Sequence, residues 1–231
     1  MALFFGGFTL GVAAEAYGVD KRLAAFALRS VGRSFALFLL LIVFTTAFFS
    51  MWLSNIAAAA LVLACLRPVL HAFDDHHMLR RTLLIGVALG ADFGGIATPI
   101  GTGPNGIAIA SLEPGFHVSF VEWMIFAFPL TIGMLALGYL MLLFRSRSKA
   151  KEWAVADIQR EVPTAAGDDD NRSVLGQRAF FLILTVTVAL WLSEPLHKIP
   201  AAVIAIASAA SLFLSGLLKK KDILRIDWST L

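Results

Sequence analysis

Residues 35–66 form a run of 32 residues without a charge, FALFLLLIVFTTAFFSMWLSNIAAAALVLACL. A membrane imposes its own lengths on such a run, since one helix covers roughly 30 Å of hydrocarbon with about 20 apolar residues. The run therefore overshoots one crossing and falls short of two. One crossing over residues 35–49 followed by a re-entrant segment is the expected arrangement. Ser50, Ser54 and Asn55 interrupt the run near its middle, where a hairpin tip or helix break belongs. Irregular backbone at membrane depth persists only when it is buried in protein or lines a cavity, so residues 50–55 are expected to form part of a binding site.

The remainder of the chain agrees with a polytopic, all-α membrane protein. Of 231 residues, 58% are hydrophobic and 15% charged, and the mean hydropathy is +0.80. The formal net charge of +3 is small. Its basic residues gather at the ends of apolar runs, which is the signature of membrane orientation and not of nucleic-acid binding. The single cysteine, Cys65, excludes an intrachain disulfide and is expected to be a packed thiol. Residues 1–14 lack the basic start of a cleavable signal, and residues 3–17 read as the end of a spanning helix. Across residues 19–31, Lys21, Arg22 and Arg29 alternate with Leu23, Phe26 and Leu28, the spacing of an interfacial amphipathic helix.

After the polar loop HAFDDHHMLRR, residues 82–96 lead into GGIATPIGTGPNG at 94–106. Its glycines and prolines break a helix, giving a second broken element over about 82–112. Residues 121–144 are long enough to cross once. Residues 145–178, basic and then acidic, are expected to be a cytoplasmic linker. Residues 179–193 and 201–218 cross again, and the basic stretch 219–228 repeats the position of 19–31, as an internal repeat would. With the linker inside, fourteen of the nineteen Lys and Arg residues fall inside, and Lys21, Arg22, Arg29, Arg33 and Lys198 fall outside. That distribution obeys the positive-inside rule.

Two broken elements, one on SMWLSN and one on GTGPNG, make the pattern of an ion-coupled transporter. Unwound carbonyls can ligate a hard cation such as Na⁺, while helix N-termini offer N–H groups and positive dipole ends to an anion. The same residues carry a family resemblance. SMWLSN at 50–55, followed about forty residues later by GGIATPIGTGPNGIAI at 94–109, resembles the first repeat of the divalent anion:sodium symporter (DASS) family, carriers of dicarboxylates, citrate and sulfate. The GVDKRLA and FVEW segments and the closing basic stretch fall in the family's order. The resemblance implies an inverted-repeat homodimer in the cell membrane, with an elevator-type transport domain. Residues 1–144 would be the first repeat, with its re-entrant hairpin at about 50–70, and 179–231 the start of a second repeat in a longer chain.

By position, the resemblance makes Ser50 and Asn55 side-chain ligands of sodium, with Ser54 and Gly101 supplying carbonyls. Asn55, Thr102, Gly103, Pro104 and Asn105 would face the substrate. The family's threonine is replaced by Ile56, which cannot donate a hydrogen bond to a carboxylate. Asp92, an ionisable residue in a spanning segment, is a candidate for coupling to sodium or a proton, or else orders the loop locally.

Blander readings cover the other features. HAFDDHH is expected to be a polar loop and not a transition-metal site, because no second cluster completes one. GTGPNG lacks the Gly-Lys-Ser/Thr ending of a phosphate loop. The five tryptophans are expected in an interfacial belt. Ser54 has no base in its layer to make it a nucleophile, so no enzyme is expected, and no cofactor beyond the coupling ion. The readings that compete with a symporter are an ion antiporter of related architecture and a membrane scaffold or half-carrier that binds ions without moving substrate.

Overall fold

Without water, backbone N–H and C=O groups are satisfied inside a helix, so apolar runs of this kind become helices. The computed structural model describes residues 2–17, 34–71, 73–74, 76–112, 115, 118–150, 153, 174–219 and 222. Among them the regular structure is helical: α1 (Ala2–Ala16), α2 (Phe35–Ser50), α3 (Asn55–His71), α4 (Met78–Ile96), α5 (Gly103–Leu112), α6 (Phe120–Ser146), α7 (Val174–Leu192), α8 (Glu194–His197) and α9 (Ala201–Leu214). Helix α6 and the Leu175–Leu192 part of α7 are long and apolar enough to cross a membrane. The amphipathic helix expected at 19–31, the acidic part of the linker and most of 219–228 lie outside the described residues.

The long uncharged run is divided differently from the expectation. Helix α2 has 16 residues, about 24 Å at 1.5 Å per residue and short of a full crossing. It runs beside α4 in the same direction: Gly86 lies against Leu39 and Val43, Gly90 against Val43 and Thr46, and Gly94 against Ala47. After the turn at residues 51–54, α3 returns. Both ends of the pair meet Trp153, whose ring centroid is 5.5 Å from that of Phe35, 4.8 Å from Phe38 and 6.1 Å from Phe73. Residues 35–49 are thus the entering arm of the hairpin and not a separate crossing, and the hairpin spans 35–71 instead of 50–70. Two short arms of 16 and 17 residues consume the length that had suggested one crossing and a remainder.

The glycines at 86, 90 and 94 recur every fourth residue on one face of α4. This small-residue seam lets α2 approach backbone to backbone, the packing mode available to helices in lipid. A side chain at Gly94 would collide with the Ala47 backbone. Helix α6 packs beside both α4 and α2, with Leu142 near Gly86 and the Thr131 hydroxyl donating to the Phe93 carbonyl at 3.4 Å. The Tyr139 hydroxyl donates to the Ala36 carbonyl at 3.2 Å, tying α6 to the start of α2.

A second unit consists of α1, α7 and α9. Helices α1 and α9 lie parallel, with Gly6 against Ala205 near their starts and the Tyr17 hydroxyl donating to the Leu217 carbonyl at 3.1 Å near their ends. Tyr17 also stacks on Phe180 at 5.4 Å, at the start of α7. These contacts correct two expectations. An inverted repeat reverses the direction of equivalent helices, so parallel α1 and α9 are not repeat equivalents. The chain also leaves α1 and enters α2 at the same, linker-bearing end. Helix α1 therefore runs towards the end from which the hairpin enters, opposite to the direction expected for it; Lys21, Arg22, Arg29 and Arg33 lie outside the described residues.

At the opposite end, the buried Glu194 carboxylate accepts from Phe120 N at 2.8 Å and from Ala201 N at 3.2 Å. It satisfies orphan donors at the starts of α6 and α9, as an N-terminal acid should. Trp191 stacks on Phe120 at 4.9 Å and donates to the Ala201 carbonyl at 3.1 Å. Trp153 and Trp191 are buried, and Trp123 donates to the Ile96 carbonyl at 3.0 Å. Each of these three indoles finds an aromatic neighbour or a carbonyl within the protein.

Candidate ion and anion site

Four helix ends converge where the hairpin tip meets the broken helix. Helix α2 ends at Ser50 and α4 at Ile96, while α3 begins at Asn55 and α5 at Gly103. Two C-terminal ends thus bring carbonyl oxygens, and two N-terminal ends bring N–H groups with their positive dipole ends. The break at residues 97–102 falls within the expected element.

Ser50 is fully buried, and its Oγ stands 2.6 Å from the Ala91 carbonyl and 2.8 Å from Asn55 Oδ1. Asn55 Nδ2 lies 3.5 Å from Asp92 Oδ1. Ser54 caps α3: its Oγ accepts from Ala57 N at 3.3 Å, and its carbonyl accepts from Ala58 N at 2.9 Å. That capping favours the helical return directly after the tip. Gly101 is buried with the Gly95 and Ser50 carbonyls so close that any side chain there would strike both oxygens. Only glycine allows this approach. The proposed cation residues Ser50, Ser54, Asn55 and Gly101 are therefore neighbours at one locus.

The residues expected to face the anion divide. Thr102 and Gly103 are half-buried and Pro104 is exposed at the start of α5. Asn105 is buried, and its Nδ2 donates to the Gly95 and Thr98 carbonyls, both at 2.8 Å. Its two donors are spent holding the break closed, so it is a staple whose amide hydrogens are not offered to a substrate. Ile56 is 79% exposed beside Asn55.

Thr98 was not singled out from the sequence. Its hydroxyl donates to the Met51 carbonyl at 2.6 Å, joining the break to the hairpin tip. Its presence inside the glycine–proline cluster was the available signal. The loop once read only as polar also has defined roles: His77 Nδ1 accepts from Leu79 N at 3.3 Å and caps α4, and Arg81 pairs with His76 at 2.8 Å.

The whole of residues 1–231 matches the citrate transporter family. The chain is 31% identical over 98% of its length to the inorganic phosphate transporter PHO87 of Saccharomyces cerevisiae, covering 24% of that protein. It is 28% identical over 61% of its length to the sodium-dependent dicarboxylate transporter SdcS of Staphylococcus aureus, covering 29% of it. Similarity to the mouse Na⁺/citrate cotransporter is 27% over 61% of the chain and 33% of the relative. The chain thus spans about a quarter to a third of the length of these relatives.

Proposed function

The chain belongs to the citrate transporter family of membrane transporters, and from that premise we propose that it supplies one half-site of a sodium-coupled carrier of small divalent anions. The observation that carries this reading is the convergence of two helix C-termini and two helix N-termini around Ser50, Asn55 and Gly101. Cation and anion ligands of opposite polarity then stand side by side, so each bound ion favours the other. Ser50, Ser54, Asn55 and Gly101 hold the cation. Thr102, Gly103 and the N-terminal turns of α3 and α5 face the anion, and Asn105 keeps the break in shape. The hairpin, broken helix and α6 move against α1, α7 and α9 to alternate access.

Ile56 supports a substrate whose recognition relies on backbone N–H groups more than on a hydroxyl at this position. Citrate, succinate, sulfate and phosphate all fit that description, and the relatives include citrate, dicarboxylate and phosphate carriers. The test is uptake of these four labelled anions by the full-length protein in proteoliposomes, with an imposed Na⁺ gradient and with choline in its place. Na⁺-stimulated uptake of one or more is expected. Uptake indifferent to Na⁺, or none at all, would overturn the reading.

A further inference from the structure

The hydrogens at the hairpin tip do not add up as the oxygen positions first suggest. Ser50 has one hydroxyl proton and two oxygen neighbours, the Ala91 carbonyl at 2.6 Å and the Asn55 Oδ1 position at 2.8 Å. The proton goes to the nearer acceptor, a helix carbonyl fixed in place. Asn55 must then be the donor in the second contact. Carboxamide O and N are assigned from hydrogen-bond partners, because their shapes are alike. With Nδ2 turned towards Ser50, Asn55 presents its oxygen to Asp92.

The facing atoms are then a carbonyl oxygen and a carboxylate oxygen, 3.5 Å apart. Two acceptors at that separation repel unless something positive joins them. A hard cation binds oxygens at about 2.3–2.6 Å, so two of its ligands at right angles stand about 3.3–3.7 Å apart. The observed spacing matches the edge of such a coordination shell. Asp92 is also exposed and lies fourteen residues into α4, about 21 Å along its axis from Met78. A carboxylate at that depth does not face hydrocarbon uncompensated.

We propose that Asp92 is a charged ligand of the cation at the hairpin tip, with Asn55 Oδ1 beside it in the coordination shell. This rests on the reading that the tip takes Na⁺ and adds a formal negative charge to a site otherwise built from neutral oxygens. The carboxylate offsets the cation's charge, so Na⁺ binds before any anion arrives.

The test is the melting temperature of purified full-length protein during NaCl titration, at constant ionic strength with choline chloride and without anionic substrate. A ligand that binds the folded state raises that temperature. The wild type is expected to be stabilised by Na⁺. Asp92→Asn, which keeps size and shape, is expected to need at least tenfold more Na⁺ for half the effect, and Asp92→Glu to fall between the two. If Asp92→Asn melts lower than the wild type in choline alone, Asp92→Ser is titrated in its place. A wild type that responds to Na⁺ alongside neutral variants that respond equally would overturn the proposal while leaving sodium coupling standing. A wild type with no Na⁺ response would overturn both.

Discussion

Where α2 lies against α4, backbone meets backbone at Gly90 and Gly94, side chains of α2 fill the space over Gly86, and polar clasps such as Ser50 to Ala91 and Thr98 to Met51 lock the contact. Where α1, α7 and α9 meet, one close approach at Gly6 is joined by the rings of Tyr17 and Phe180. The surface between these units is of a third kind. Gly7 and Gly11 of α1 touch Ile100 and Leu53, and beside them lies a cavity of about 450 Å³ bordered by Leu10, Phe48, Trp52, Leu184 and Val188. Each unit is tied internally through polar groups or aromatic faces, whereas this surface is apolar and incompletely filled. Apolar surfaces have no directional bonds to break when they shift, so this surface resists sliding less than the contacts within each unit do. The firm connection is at one end, where Glu194 grips the start of α6 and Trp191 stacks on Phe120.

Substitutions can break that comparison. The largest expected effect is Gly94→Leu, which drives a side chain into the Ala47 backbone. It should cost about 1–3 kcal/mol or more, as overpacking does, and abolish uptake, read by thermal unfolding and by proteoliposome transport. Next is Thr98→Val, which leaves the Met51 carbonyl without its donor, at about 1–2 kcal/mol. Thr9→Val is its control in the other unit: that hydroxyl bonds back to Phe5 in its own helix, and the change should stay within about 0.5 kcal/mol. Equal losses would erase the distinction between a clasp across elements and a bond within one.

Smaller effects sharpen it. Glu194→Gln keeps one of two acceptor oxygens and should destabilise by about 1 kcal/mol, slowing uptake while leaving the Na⁺ concentration for half-maximal stabilisation unchanged. A shifted Na⁺ response would mean that the end clasp and the hairpin tip are not separate. Ile56→Thr sits at an exposed position and should alter stability by less than about 0.5 kcal/mol. Its expected effect is on selectivity, a gain for dicarboxylate over phosphate in competition uptake.

The tip and the break were legible because polar and helix-breaking residues stand out in an apolar background. The division of residues 35–66 was not. A helix surrounded by lipid has no need of a polar face, so the run carries no period to say where one arm ends, and length alone permitted a crossing plus a remainder. That one choice reversed the direction assigned to α1. Roles within the break were also hidden, since Asn105, a staple, and Asn55, at the hairpin tip, are the same residue type. Which one spends its hydrogens internally depends on the carbonyls of Gly95 and Thr98, and sequence order does not reveal that proximity.

The shortness of the hairpin arms bears on how the chain enters the membrane during synthesis. Neither arm is a stable span by itself, and the tip's Ser50 hydroxyl and Met51 carbonyl find their partners on α4 and just beyond it, at Ala91 and Thr98. The hairpin alone would carry these polar groups into lipid unpaired. Only six residues separate its end from Met78, so α4 follows almost at once. The hairpin and α4 therefore have to be released from the insertion machinery as one piece, and a ribosome halted just after His71 would hold a segment with no stable place in the bilayer.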